Sequence, residues 1–139
     1  SAIIKYLVEI SPDINIPDHA GNTALHMAVM HRNVFAVKQL IARGAQVNRA
    51  NAQGFTPVYY ALLTQNTYLL DLLIQAGVDL RIKQGGRPLI FVALEFCSKK
   101  QLSIMRTLIK NGVDIYSRYN RITPIQYAEL LNKHEHTNL

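Results

Sequence analysis

Asp18-His19-Ala20-Gly21-Asn22-Thr23-Ala24-Leu25-His26-Met27-Ala28 is the stretch on which the fold turns, because its second half recurs. Thr23-Ala-Leu-His-Met-Ala28 aligns with Thr56-Pro-Val-Tyr-Tyr-Ala61, with Arg87-Pro-Leu-Ile-Phe-Val92 and with Thr123-Pro-Ile-Gln-Tyr-Ala128, at intervals of 33, 31 and 36 residues. A second block follows each of the first three copies: Leu40-Ile-Ala-Arg-Gly44, Leu73-Ile-Gln-Ala-Gly77 and Leu108-Ile-Lys-Asn-Gly112. Leu7-Val-Glu-Ile-Ser11 is the same block with serine in place of glycine. Periods of this length mark units that cannot bury their own apolar faces and must stack.

The residue types give each block a structure. Pro57, Pro88 and Pro124 suit a helix first turn, where a missing N–H costs nothing. Thr23, Thr56 and Thr123 precede that turn and are placed to cap it through their hydroxyls. Ala28, Ala61 and Ala128 are small enough for neighbouring helices to approach closely. Val37, Leu70 and Met105 lie three residues before Leu40, Leu73 and Leu108, the spacing of an amphipathic second helix. Gly44, Gly77 and Gly112 end those helices where the chain must turn left-handed. Apolar anchors follow at Ile14, Val47, Leu80 and Ile115, and a polar loop returns to Gly21 or Gly54. The spacing therefore predicts helix, short turn, helix and extended loop in each unit.

These blocks resemble the ankyrin-repeat family, and the likeness covers nearly the whole chain. The resemblance implies an all-α repeat solenoid of stacked helix-turn-helix units with extended loop or β-hairpin connections. The chain then reads as one domain. Residues 1–17 are the second helix and loop of a partial repeat, so that a fragment, or a segment covering that end, is expected. Residues 18–50 and 51–81 are repeats, 82–117 a repeat with an insertion between its helices, and 118–139 a partial C-terminal repeat. In the third, Gly85 is expected as the loop glycine, with Pro88 at the helix start and Leu89 in the core. From Arg87 to Gly112 is 25 residues against 21 in the units before, which places four extra residues around Phe96–Ser103. That insertion reads equally as a functional loop or as a longer first helix with a basic turn. In the fourth, Arg121 replaces the loop glycine, and the segment from His134 reads as a fraying end or cap.

Composition excludes several classes. The chain has 139 residues, nearly half of them hydrophobic, which suits a packed domain and not a disordered one. No apolar run approaches the roughly 18 residues of a membrane span, and no small-residue cleavage site follows Ser1–Ile10. One cysteine, Cys97, makes neither an internal disulfide nor by itself a zinc site. No cofactor is expected, and an intracellular location, cytoplasmic or nuclear, fits this usage. The sequence holds no phosphate-cradling glycine loop, metal-ligand cluster or nucleophile paired with a base, so catalysis is not expected. His134 and His136 lack further ligands for a metal. His26 occupies the histidine position of the ankyrin-type repeat element, and that resemblance implies a structural histidine that bonds neighbouring loops. Tyr59 replaces it in the second unit, so the loop bonding there must differ.

The resemblance points to a protein-interaction module whose concave face is built from loop tips and first helices. By position its partner-binding residues are His19, Asn22, Met30, His31, Gln53, Phe55, Leu63, Thr64, Lys83, Gln84, Glu95, Tyr119 and Asn120. Phe55 and Tyr119 are expected exposed, as anchors whose loss weakens binding without unfolding. Net charge is +6, with Arg49, Arg81, Lys83, Arg87, Arg118 and Arg121 in or beside loops. This suggests a basic rim toward the second half and an acidic partner. The alternatives are a substrate-targeting module of an enzyme or effector whose catalytic part lies elsewhere, or weak nucleic-acid binding through that rim, although no nucleic-acid-binding signature is present. No membrane insertion is expected, and oligomeric state is open.

Overall fold

A computed structural model describes residues 14–96 and 102–137. The expected helix at 1–10 and the core of the insertion, with Cys97, Lys99 and Lys100, lie outside the described residues. Seven helices are described: α1 Ala24–Met30, α2 Val34–Ala42, α3 Pro57–Leu63, α4 Thr67–Gln75, α5 Leu89–Phe96, α6 Leu102–Lys110 and α7 Pro124–Thr137. They form two layers. The first stacks α1, α3, α5 and α7 in that order, and the second stacks α2, α4 and α6 behind them. Each first-layer helix up to α5 also packs on the second-layer helix that follows it in the chain. This is an all-helical repeat solenoid.

The core sits between the layers. Leu25, Ala28 and Val29 of α1, Val58, Ala61 and Leu62 of α3, and Ile90, Val92 and Ala93 of α5 are buried, as are Val37, Leu40, Leu70, Leu73 and Leu108 opposite them. Each fully buried leucine contributes on the order of 1.5–3 kcal/mol through loss of apolar surface from water. Ala28, Ala61 and Ala93 are at most 1 % exposed, where a larger side chain would separate adjacent helices.

Two kinds of cap hold the second helices. Asn33 Oδ1 accepts the Ala36 N–H and Asn66 Oδ1 accepts the Leu69 N–H, both at 3.1 Å. At the other end Gly44, Gly77 and Gly112 have φ of 86°, 94° and 87°. The N–H of Ala45, Val78 and Val113 then returns to the carbonyl of Leu40, Leu73 and Leu108, satisfying carbonyls the helix leaves open.

The third unit corrects the register expected from sequence. The Phe91 N–H bonds the Pro88 carbonyl as the Tyr59 N–H bonds the Thr56 carbonyl, and Ala93, not Val92, is the small buried residue. Pro88 thus stands in the threonine position, one residue before α5, while Leu89 is in the core as expected. The extra length is three residues and not four, since Pro88 to Gly112 is 24 residues and Thr56 to Gly77 is 21. Both Gly85 and Gly86 have positive φ, 58° and 84°, and form a two-residue turn closed by a bridge between Gln84 and Arg87. The fourth tip has the same shape with no glycine. Asn120 and Arg121 take φ of 53° and 67° under the Tyr119–Ile122 bridge, at the strain a side chain incurs in the left-handed region. The last helix also runs further than expected, through Thr137.

Candidate functional site

The loop tips and the first-layer helices present one continuous edge, and a network of side-chain bonds holds the tips to one another. At the first tip, Asp18 Oδ1 accepts the N–H of Ala20 and of Asn22 at 2.9 and 2.8 Å. Asn51 does the same at the second tip, accepting from Gln53 and Phe55 at 3.0 Å. As an amide it also donates, from Nδ2 to Asn22 Oδ1 and to the Tyr60 hydroxyl, each at 2.8 Å. It thereby ties the first tip to the second helix pair.

His26 is the next link. Its Nδ1 lies 3.1 Å from the Thr23 nitrogen and its Nε2 lies 2.9 Å from the Phe55 carbonyl oxygen. A backbone N–H can only donate and a carbonyl can only accept, so the ring is the neutral tautomer with its proton on Nε2. Burial, opposed by the Phe55 carbonyl bond, holds its pKa below the ordinary 6.5. The ring is 0 % exposed, and this is the loop-bracing role expected of it.

In the second unit Tyr59 cannot make those bonds, and Gln84 of the following tip makes them instead. Its Oε1 accepts the Thr56 N–H at 2.8 Å and the Thr56 hydroxyl at 3.2 Å. Its Nε2 bonds the Ile82 carbonyl at 3.2 Å. Gln84 is 1 % exposed, so it is a brace and not a presented contact. In the fourth unit Gln126 stands in the histidine position. Its Oε1 accepts from the Thr123 N–H, and the Thr123 hydroxyl accepts from the Gln126 N–H. Hydroxyl capping is thus seen at Thr123, whereas at Thr56 the hydroxyl is given to Gln84.

A second set of straps joins the turns between helices. Arg32 and Gln65 sit in left-handed turns with φ of 55° and 56°. Arg32 donates to the Thr64 carbonyl, and Gln65 donates to that of Phe96. Behind the tips, Asn15 Oδ1 accepts from the Gln46 N–H and Asn48 Oδ1 from the Asp79 N–H. Arg81 occupies the next position in that series and cannot accept.

The expected contact residues divide by exposure. His19, His31, Gln53, Leu63, Lys83, Glu95 and Asn120 are exposed. Asn22, Met30 and Thr64 are half-buried, with Asn22 engaged by Asn51 and the Thr64 hydroxyl bonded to the Tyr60 carbonyl. Phe55 and Tyr119 are also half-buried, contrary to expectation. The Phe55 ring lies flat on Tyr59 with centroids 3.8 Å apart, and a Cβ on Gly85 would stand 2.8 Å from its Cε1. Tyr119 packs 5.8 Å from Phe91 and lies under the Arg87 guanidinium. Both are wedges between units. Sequence reasoning missed Leu130, 51 % exposed, which continues the row Met30, Leu63, Glu95 two residues past the small alanine of each first helix. The alanine register alone would have found it.

The expected basic rim is thinner than the count suggests. Arg49 donates to the Asn15 carbonyl, Arg81 pairs with Asp79 and Arg87 with Glu95 at 2.7 Å. Lys83, Arg118 and Arg121 are exposed. Among the described residues no group of three or more His, Cys, Asp or Glu is placed to hold a metal, and no helix is long and apolar enough to cross a membrane. The side chains of His134 and His136 lie outside the described ones.

Comparison with known proteins agrees with this architecture. A family model described as ankyrin repeats (3 copies) matches residues 1–84. The chain is 32 % identical over 128 residues to a fowlpox virus protein named as a putative ankyrin repeat protein, covering 91 % of this chain and 88 % of that one. It is 28 % identical to the Escherichia coli putative ankyrin repeat protein YahD, covering 93 % of this chain and 64 % of that one. A mimivirus putative ankyrin repeat protein is 29 % identical over 73 % of this chain, which spans only 13 % of its length.

Proposed function

The chain belongs to the ankyrin-repeat family, and on that premise we propose that it is a non-catalytic module that binds a partner protein along its first-layer edge. Ankyrin repeats are in general protein–protein interaction modules. The observation that carries the reading is the row Met30, Leu63, Glu95 and Leu130. It occupies one position on each of the four first-layer helices, and Leu63 and Leu130 are 44 % and 51 % exposed there without serving the core. A mostly apolar row beside polar tips offers an anchor strip with a polar rim.

Photo-crosslinking residues placed at His31 and Leu63, against a control at Tyr68 on the second layer, test this. Specific adducts to a partner protein are expected from both positions of the first pair, those from His31 being lost on Leu63→Glu with the thermal midpoint unchanged. Adducts from Tyr68 alone, or none from either layer in cell extract, overturn the reading.

A second reading is that the module selects targets for a larger protein, whether an enzyme or an effector. It is favoured by relatives of which the chain spans a small part, such as a Candida albicans protein named palmitoyltransferase AKR1, 31 % identical and matched over 14 % of its length. In this reading the same edge is used, and any chemistry belongs to the rest of the protein.

A further inference from the structure

One place on this edge has a shape of its own, between the third and fourth tips. Arg87 stands immediately before Pro88 where Phe55 stands immediately before Thr56. At the earlier step Phe55 fills the space between units with its ring on Tyr59. Arg87 instead turns to Glu95 and to the face of Tyr119. A cleft of about 350 Å³ remains, lined by Arg87, Phe91, Tyr119, Asn120, Ile122 and Tyr127. That is at the small end of ligand pockets, enough for one large side chain. Its floor is Phe91, 5.4 Å from Tyr127 and 5.8 Å from Tyr119. Aromatic walls favour an aromatic guest, in offset or edge-on contact.

The surroundings select the charge of that guest's neighbours. Residues 83–96 and 113–127, which form the two tips and the first-layer helices beside them, carry four Lys and Arg (Lys83, Arg87, Arg118, Arg121) against two acids, Glu95 and Asp114. Both acids are engaged within the chain, Glu95 by Arg87 and Asp114 by the N–H groups of Tyr116 and Ser117. Arg118 and Arg121 flank the Tyr119-Asn120 wall and are exposed. Arg87 uses its NH1 for Glu95, and a guanidinium has further donors for an incoming carboxylate. We infer that the cleft between the third and fourth tips receives an aromatic side chain of a partner protein, presented in an acidic segment whose carboxylates meet Arg87, Arg118 and Arg121. This deepens the interaction-module reading and rests on it.

The test is fluorescence anisotropy of the 139-residue chain with a labelled peptide carrying one phenylalanine among glutamates and serines. Its phenylalanine-to-alanine twin, its glutamate-to-lysine twin and a deoxythymidine oligonucleotide of equal charge serve as competitors. Saturable binding is expected, at least tenfold weaker for each peptide twin. Arg121→Glu is expected to weaken it about tenfold with no change in thermal midpoint, since that side chain is exposed. Tyr119→Ala also weakens it, and circular dichroism reports whether that variant remains folded. No saturable binding, equal binding of the alanine twin, equal competition by the oligonucleotide, or indifference to Arg121→Glu overturns the inference. Each of these leaves the crosslinks from His31 and Leu63 untouched, so failure here is distinguishable from failure of the module reading.

Discussion

Gln84 Oε1 lies 2.8 Å from the Thr56 backbone nitrogen, in the place that His26 Nδ1 holds against Thr23. One bond, closing the first turn of a first-layer helix, is supplied from inside the unit in one case and from the next tip in the other. The exchange follows from Tyr59, which has no acceptor at that reach.

Gln84→Ala therefore strips a buried N–H of its acceptor. A loss of about 1–3 kcal/mol is expected, measured by urea denaturation. The Thr56 amide should lose hydrogen-exchange protection while the Thr23 amide keeps it.

His26 makes stability depend on pH. The folded ring is held neutral below its ordinary 6.5, so beneath that pH the unfolded chain binds the extra proton. Stability is then full above about pH 6.5 and falls as pH drops through it, by at most about 1.4 kcal/mol per pH unit from this group. His26→Gln should flatten that slope in pH-dependent thermal melts. An unchanged slope would mean another group carries it.

Asn51→Ala removes two acceptor bonds within the second tip and two donor bonds, to Asn22 and Tyr60. We expect a cost of about 2–4 kcal/mol, summed from bonds of roughly 1 kcal/mol each. Chemical shifts of Asn22 in the first tip should move with it.

Gly44 and Gly85 separate backbone strain from crowding. A Cβ on Gly44 meets nothing within 4 Å, whereas on Gly85 it stands 2.8 Å from Phe55 Cε1. Gly44→Ala should cost about 1–2 kcal/mol from its positive φ alone. Gly85→Ala should cost more, and Phe55→Ala combined with it should recover part of the difference in a double-mutant cycle.

Phe55→Ala alone is expected to lower stability by about 3 kcal/mol or somewhat less, because the ring is half-buried on Tyr59. Binding measured on that variant must be read against its melting curve. Leu63→Glu has no such complication.

Much of the architecture was legible in the sequence because period, proline, glycine and leucine positions all answer to local rules. Gly44, Gly77 and Gly112 end helices by their backbone freedom, and Leu40, Leu73 and Leu108 bury by spacing. The third unit resisted because Gly85-Gly86 and Pro88 permit two alignments, and the Phe91–Pro88 backbone bond and the buried Ala93 decide between them. The fourth tip resisted because Asn120 and Arg121 accept a left-handed turn that glycine normally marks. At the candidate site, exposure was the illegible quantity. Phe55, Gln84 and Tyr119 occupy tip positions, yet Gln84 and Tyr119 are covered by residues about 30 positions away, and Phe55 lies on Tyr59 and against Gly85 of the next tip. The substitution of Tyr59 for a histidine announced that a bond was missing without saying which residue would replace it.

The reversed brace also bears on how the array can be cut and recombined. The unit carrying His26 supplies the acceptor for its own Thr23 N–H. The unit holding Thr56 borrows its acceptor from Gln84 of its successor. Exchange of the third unit alone is therefore expected to cost the second unit the acceptor of its Thr56 N–H.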